Sequence, residues 1–358
     1  MSSSAVDVVV FAALAPILAV ILFWFIQLLF IESQKYLLSQ IATDHEALVR
    51  FTNVIGIFFQ TFCHGLGYTV TMSGITRFYI TVDYGEVKPK KQKKGVKEWF
   101  SNAFLFIGPF FIPAFLLFLM LIFLLERGIS FVPQSTYGFA EGAAIFGENL
   151  YQFSFHFFSF LATIDFLHPA HLGFFLLLLL LGLGIRPSYL GKKPREKVDL
   201  LYDLKNIRYN VLHKPLYIII FFLCAYILFY LSVLFQQNWY SALFSILGWL
   251  SIISIVSLLL AHALLFLIKI VDTLPSLWKM ICYFSIPSVY IVSRALFYFY
   301  PLPMIRSISL AITIIVNVLL ITMLLYRYTN TFKTSLSMKR TQHNSGRKDD
   351  GSRRVIRK

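Results

Sequence analysis

Five polar residues lie on one face of an otherwise apolar segment around residue 60. Asn53, Gln60, His64, Tyr68 and Thr71 follow one another at intervals of seven, four, four and three, a spacing that places them on one side of an α-helix. An imidazole, a phenol and two amides can bind a metal or hydrogen-bond a ligand. A polar stripe in an apolar helix must face protein or a wet cavity, so we predict a binding site that includes Asn53, Gln60, His64 and Tyr68.

A second group of chemically capable residues follows one hundred positions later. Asp165, His168 and His171 are spaced three apart, and carboxylate and imidazole are suitable zinc ligands. These three residues and His64 would form a metal site if the segment 148–185 re-enters the membrane deeply. The alternative interpretation is that the histidines lie at the membrane interface, around a break in the helix at Pro169.

The elements that must position these residues are apolar helices. The 358-residue chain is 58% hydrophobic and has a mean hydropathy of +0.72, which is typical of a protein embedded in a membrane. Because only helices satisfy every backbone amide in hydrocarbon, we expect an all-α polytopic protein. It has about eight transmembrane helices, with crossings over 8–31, 51–72, 103–125, 171–185, 216–235, 240–270, 280–299 and 305–326.

Two of these segments need a further interpretation. The first segment, 8–31, is long, and no Lys or Arg precedes it. We therefore interpret it as a retained anchor helix, followed by a loop over 32–50. The segment 148–185 is long enough for two helices, yet the charges on either side of it allow only one crossing. We therefore expect 151–167 to lie at the interface or to re-enter the membrane.

The net charge of +15 is concentrated in three regions, 86–98, 186–214 and the tail from Arg327. Basic loops stay cytoplasmic, so both termini are predicted to be cytoplasmic in a multi-pass protein of the cell membrane. This orientation already explains the charge, so the lipid bilayer is an expected partner and nucleic acid is not. The spacing of apolar residues over 197–213 predicts an amphipathic surface helix, and the polar composition of 328–358 predicts a disordered tail.

The spacing of apolar residues changes after the polar stripe. Over 75–87 the apolar residues alternate with polar ones, which predicts a strand or hairpin directly after the second helix. A lysine-rich loop and a further apolar helix come next. We accordingly divide the chain into an anchor region (1–50), a membrane core with the lysine loop and amphipathic helix (51–215), a four-helix region (216–327) and the basic tail (328–358).

This order of elements, with the pentapeptide HGLGY at 64–68, resembles the site-2 protease family of intramembrane zinc metalloproteases over about residues 51–125. The resemblance implies a helix that carries H-E-x-x-H, in which two histidines bind zinc and the glutamate activates water. Here His64 matches the first histidine, whereas Gly65 and Tyr68 replace the glutamate and the second histidine. The resemblance also implies an aspartate as third ligand, for which Asp165 is the candidate, although its surroundings differ from the family's L-D-G pattern.

The resemblance therefore implies a protein that is not an enzyme, since the residues that would hold and use the zinc are missing. We expect it to bind a membrane partner or a substrate helix without cleaving it, and we expect no cofactor. One alternative is an active zinc protease with atypical ligands, drawn from His64, Asp165, His168 and His171. Another is a transporter or a structural subunit of a membrane complex.

Overall fold

The computed structural model describes residues 7–81, 85–91, 95–125, 131–132, 138–184, 215–298 and 304–355. These residues are mainly helical and include one small antiparallel sheet. Three of the helical stretches are long and apolar enough to cross a membrane: Leu14–Ile41, Trp239–Val271 and Ile305–Asn330. Three shorter stretches are also apolar: Phe110–Leu124, Pro169–Gly184 and Ile219–Leu234.

The hairpin and the helices on either side of it follow the order predicted from sequence. A short π-helical segment, Asp7–Phe11, precedes α1, and the two strands lie between α2 and α3. The helices are α1 (Leu14–Ile41), α2 (Glu46–Val70), α3 (Val96–Leu124), α4 (Phe139–Ala162), α5 (Pro169–Gly184), α6 (Pro215–Leu234), α7 (Trp239–Val271), α8 (Ser276–Leu296) and α9 (Ile305–Val355).

The first helix corrects one sequence expectation. The predicted anchor ends at residue 31 and is followed by a loop, but α1 continues to Ile41 and α2 begins at Glu46. The reason is a repeat of three and four positions that passes beyond residue 31, since Trp24, Gln27, Ile31, Gln34 and Leu38 follow one another at helical spacing. This repeat places two polar residues, Gln27 and Gln34, on the buried side of the helix.

The predicted hairpin after the second helix is confirmed. Strands β1 (Ile75–Ile80) and β2 (Gly85–Pro89) pair antiparallel, with Phe78 opposite Val87 and Tyr79 opposite Glu86. The register shifts between Ile75 and Arg77. Both strands contact α2, so the hairpin folds back onto the helix that precedes it.

The core that surrounds the polar stripe is built from α2, α3, α5 and the hairpin. Helix α2 packs against α3, α5 and both strands, and α3 also packs against α5. Small residues allow these helices to approach one another closely. A Cβ added to Gly108 of α3 would lie 2.7 Å from the Cys63 sulfur of α2, and a Cβ added to Gly184 would overlap Ile55. The helix after Asp165 thus lies beside the helix that carries His64.

Helices α4 and α5 are separated by a short non-helical segment. The predicted break before Pro169 is confirmed, because α4 ends at Ala162 and α5 begins at Pro169, a residue well suited to the first helical turn. At the start of α4 the amide of Phe139 donates to Asp7 Oδ1 at 3.2 Å. At the end of α5 the Gly182 carbonyl accepts from Gln34 Nε2 at 3.0 Å. The pair thus begins beside the segment before α1 and ends beside the later part of α1.

Contacts divide the chain into two units, Met1–Phe266 and Leu267–Lys358, a division that falls inside α7. In the second unit α8 packs against α9. Helix α9 continues to Val355, which corrects the expectation of a disordered tail. No proline interrupts residues 304–358, so the backbone can continue the preceding apolar helix. The amphipathic helix predicted over 197–213 lies outside the described residues.

Candidate functional site

The polar stripe of α2 lies on a partly buried surface of the core. The rings of His64 and Tyr68, one helical turn apart, have centroids 6.0 Å from each other. Asn53 is buried, and Gln60, His64 and Tyr68 are half-buried. At the end of the stripe the Thr71 hydroxyl donates to the Gly67 carbonyl at 2.8 Å and also contacts the hydroxyl of Ser73. The structure therefore brings the predicted residues onto one helix side.

A tight turn returns the chain from α2 to the sheet. Met72 has φ of 54° and Gly74 has φ of 66°, both in the left-handed region. The amide of Ser73 donates to the Tyr68 carbonyl at 2.8 Å, which ends the helix in the manner of a Schellman motif. Left-handed backbone at residue 74 is easily adopted by glycine. This turn directs β1 back along α2.

The hairpin fills the space beside Gly65. A Cβ added to this residue would lie 3.3 Å from Cε2 of Phe78 and 3.7 Å from Cδ1 of Ile75. The side chain at position 65 would therefore extend directly into β1. Position 65 is thus occupied by a glycine that an aromatic ring covers. A carboxylate at this position would first have to displace that ring.

Gly67 packs on the opposite neighbour, α3. A Cβ added there would lie 2.8 Å from the Ser101 carbonyl oxygen and 3.1 Å from the Phe104 Cβ. Neither of these atoms can rotate away, because a backbone carbonyl and a Cβ are fixed by the helix. The two glycines of HGLGY thus pack against different elements, Gly65 against the sheet and Gly67 against α3.

Asp165, His168 and His171 are brought together at the start of α5. The Asp165 amide donates to His171 Nδ1 at 3.1 Å, and Asp165 Oδ1 accepts from the amide of Leu167 at 3.1 Å. The rings of His168 and His171 have centroids 4.8 Å apart. These contacts organise the turn between α4 and α5, where an aspartate that accepts a nearby amide is common.

The structure does not assemble a metal centre from these groups. Among the described residues, no group of three or more His, Cys, Asp or Glu side chains is placed so that it could hold a metal ion. His171 also uses Nδ1 to accept the Asp165 amide, so this nitrogen is already engaged by the backbone. His64 lies on α2, and the other three candidates lie at the beginning of α5.

A second polar region, which sequence reasoning missed, lies on α1. It consists of Gln27, Glu32, Gln34 and Lys35, which we call the α1 polar residues, and all four are buried. Glu32 and Lys35 form an ion pair at 3.7 Å, and each side chain is only 3% exposed. Neither amide atom of Gln27 has a hydrogen-bond partner within the described part of the chain. The three-and-four repeat from Trp24 to Leu38 was the signal that could have revealed Gln27 and Gln34.

These α1 residues lie beside the end of α5. Gln34 Nε2 donates to the Gly182 carbonyl at 3.0 Å, and a Cβ added to Gly182 would overlap the Ser257 carbonyl of α7. The Ser257 hydroxyl in turn donates to the Leu178 carbonyl. The last turn of α5 is thus held by polar groups from α1 and α7, as is common between helices in membranes.

The electrostatics of the hairpin are those of an exposed surface. Glu86 lies 2.8 Å from Lys88 and 3.5 Å from Arg77. The hydrogen bond from Lys88, followed by the charges of Lys88 and Arg77, lowers the pKa of the Glu86 carboxyl below its usual value. Solvent screens these interactions, so they set the orientation of side chains on the hairpin more than its stability.

No protein-family model, no curated protein and no solved structure matches this chain. The functional interpretation therefore comes from the geometry of the α2 stripe, the hairpin and the helices packed against them.

Proposed function

We propose that the core of α2, α3, α5 and the hairpin is a site-2-protease-like scaffold that binds a membrane partner or a substrate helix without cleaving it. The support is the order of elements and their packing. The helix that carries His64 contacts the following sheet, the next helix and the helix after Asp165. A scaffold that retains this arrangement keeps the surfaces that a partner would contact.

One observation carries the inactivity part of the proposal. The ring of Phe78 lies beside Gly65, at the position from which a general base would extend. Proteolysis by this class of mechanism needs a carboxylate next to a zinc-bound water, and zinc needs three protein ligands. Gly65 and Tyr68 provide neither the base nor the second imidazole, and His64 is then a hydrogen-bonding residue of the binding surface.

The binding part of the proposal uses the hairpin. A two-stranded sheet has an outer edge on each strand, and five of the six residues of β1 are exposed. An exposed strand edge binds an extended peptide by adding it as a further strand. Exposed Phe78 and Tyr79 would contribute apolar contacts to that peptide.

The proposed topology has eight crossings, with both termini cytoplasmic, in the cell membrane. It counts α4 and α5 as one net crossing. The contacts at Asp7 and Gly182 support this count, because α4 begins beside the residues before α1 and α5 ends beside the later part of α1. The lysine loop then lies on the same side as the C-terminal tail.

Site-specific photo-crosslinking in cells would test partner binding. A benzophenone amino acid at Tyr79 on β1 is expected to capture a membrane protein, whereas the same group at Tyr151 on α4, which is also exposed, serves as the matched control. The captured partner should keep its full length. Equal capture at both positions, or no capture at Tyr79, would contradict hairpin binding, and a partner cleaved in a His64-dependent way would contradict inactivity.

A transporter or a structural subunit is the second candidate function. The observation that favours it is the buried Glu32–Lys35 pair in a helix apolar enough to span a membrane, since intramembrane charges often mark transport paths. Reconstituted protein separates the two candidates. Solute flux that is lost in E32Q/K35M, which removes both charges of the pair together, but kept in Tyr79→Asp would favour transport over partner binding.

A further inference from the structure

The hairpin has an inner face against α2 and an outer face on its other side. Phe78 lies beside Gly65 of α2, and a Cβ added to Gly85 would overlap the Thr61 side chain of the same helix. Because successive side chains of a strand point to opposite faces, the remaining positions of the register form the outer face: Arg77, Tyr79, Glu86 and Lys88. The proposed function uses the edge of β1 but gives no role to the charges on this outer face.

Two cations lie directly opposite each other on the outer face. Arg77 pairs with Lys88 in the register of the sheet, and their side chains are 57% and 58% exposed. Like charges directly opposite each other on two strands destabilise a sheet. The Glu86 carboxylate lies 2.8 Å from Lys88 and 3.5 Å from Arg77, so one negative charge is shared between two positive charges.

The excess of positive charge continues after β2. The amide of Lys90 donates to the Gly74 carbonyl at 3.0 Å, and the amide of Lys91 donates to Ser73, while both lysine residues are exposed. Among the described residues of the hairpin, 75–81 and 85–91, Glu86 is the only acidic residue beside four basic ones. The turn residue Asp83 lies outside that part of the chain. The described hairpin therefore carries more positive charge than its own carboxylate balances.

We infer that the extended segment bound at β1 is acidic, with a carboxylate on the outer face beside Arg77 and apolar side chains on the inner face beside Phe78. This inference rests on the proposed strand addition and names the chemistry of the partner. An added strand lies about 4.8 Å from β1, close enough for an opposite-charge cross-strand pair. Arg77 would then have a carboxylate of its own, and Glu86 would remain with Lys88.

An anionic lipid surface is another source of negative charge, but the hairpin fits a peptide better. The edge of a strand presents both amides and carbonyls, and a peptide strand can pair with both kinds of group. A lipid phosphate can accept from the amides but has no donor for the carbonyls. The cations at positions 77, 88 and 90 also follow the sheet in a two-residue period, which an extended peptide shares.

Fluorescence anisotropy of labelled synthetic peptides, added to the full chain in a neutral detergent, tests the charge preference. Three end-capped probes of the length of β1 alternate Val with Glu, with Gln or with Lys. We expect the Glu peptide to bind several times more tightly than the Gln peptide, since one opposite-charge cross-strand pair contributes up to about fivefold. Arg77→Gln should remove this preference, and Arg77→Glu should transfer it to the Lys peptide.

Lys97→Gln is the matched control, because it removes one exposed positive charge from the first turn of α3 and not from the sheet. This variant should keep the preference for the Glu peptide. Equal binding of the Glu and Gln peptides to the unmodified chain overturns the acidic preference while strand addition stands, as does an equal loss in Lys97→Gln and Arg77→Gln. Binding of none of the peptides overturns strand addition itself.

Hydrogen exchange in lipid nanodiscs tests the lipid alternative without any peptide. We expect the β1 amides to exchange equally in phosphatidylglycerol and phosphatidylcholine nanodiscs, because no headgroup pairs with the strand edge. Protection of β1 in phosphatidylglycerol alone, present in the unmodified chain and absent in Arg77→Gln, would show that this face binds lipid and would overturn the inference.

Discussion

The α2 stripe and the α1 polar residues are two polar regions of the same unit that differ in how deeply their side chains are buried. Gln60, His64 and Tyr68 of the stripe stay half-buried. Gln27, Glu32, Gln34 and Lys35 of α1 are buried, two of them as an ion pair. A polar residue that remains accessible can meet a ligand, whereas a buried charge must find its partner inside the protein.

The difference shows that exposure, and not polarity alone, separates a binding surface from a structural contact. The stripe lies next to an exposed hairpin and is the better candidate for recognition. The α1 polar residues hold the end of α5 through Gln34 and Gly182 and thereby position one wall of the core. Substitutions in the two regions and a change of pH test this distinction, in order of decreasing expected effect.

The largest effect is expected from Lys35→Met, which leaves the Glu32 carboxylate buried without its ion-pair partner Lys35. Loss of one member of a buried pair costs about 3–5 kcal/mol of unfolding free energy, because the remaining carboxylate no longer has the positive charge of Lys35 beside it. Thermal unfolding in detergent measures the loss. The E32Q/K35M double variant should recover most of it, and Lys88→Met on the exposed hairpin, where Lys88 pairs with Glu86, should change stability far less. Equal losses in Lys35→Met and Lys88→Met would remove the distinction between the two regions.

An intermediate effect is expected from the two glycines of HGLGY. Gly67→Ala should destabilise the protein by about 1–3 kcal/mol, because its Cβ would meet a fixed backbone carbonyl of α3. Gly65→Ala should cost less, since the Phe78 ring can move. Gly65→Glu should displace the hairpin, and limited proteolysis should then cut it faster than in the Gly65→Ala control. If Gly65→Ala proves the more damaging of the two alanine variants, the packing assigned to the sheet is wrong.

The smallest effect is expected from pH at the hairpin. The pKa of Glu86 is lower in the folded protein than its usual value, so its ion pairs contribute above that usual value and are lost as the pH falls through the folded pKa. The protection factors of the β1 and β2 amides, which compare the observed exchange rate with the intrinsic rate at the same pH, should therefore decrease at acidic pH below the ordinary glutamate range. Glu86→Gln should remove this pH dependence while the neutral-pH exchange of α2 stays unchanged. A pH dependence that persists in the variant would assign it to another group.

The hairpin could be predicted because strand periodicity is a local property of residues 75–87. The α2 stripe could be predicted because polar residues are conspicuous in an apolar helix. The full length of α1 was missed, because two charged residues, Glu32 and Lys35, indicated the start of a loop. Only the structure shows that they pair with each other inside the helix. The contact of Phe78 with Gly65 could not be predicted from the sequence either, because it depends on the turn at Met72 and Gly74 and on how the sheet lies against α2.

The decisive measurement is the zinc content of the purified protein, prepared without chelators. We predict far less than one zinc ion per chain, with no change in His64→Ala, because Gly65 and Tyr68 leave a single imidazole on α2. About one zinc ion per chain that disappears in His64→Ala would contradict the proposed inactivity. That result would make the chain a metalloprotein whose ligands are not those of an H-E-x-x-H helix.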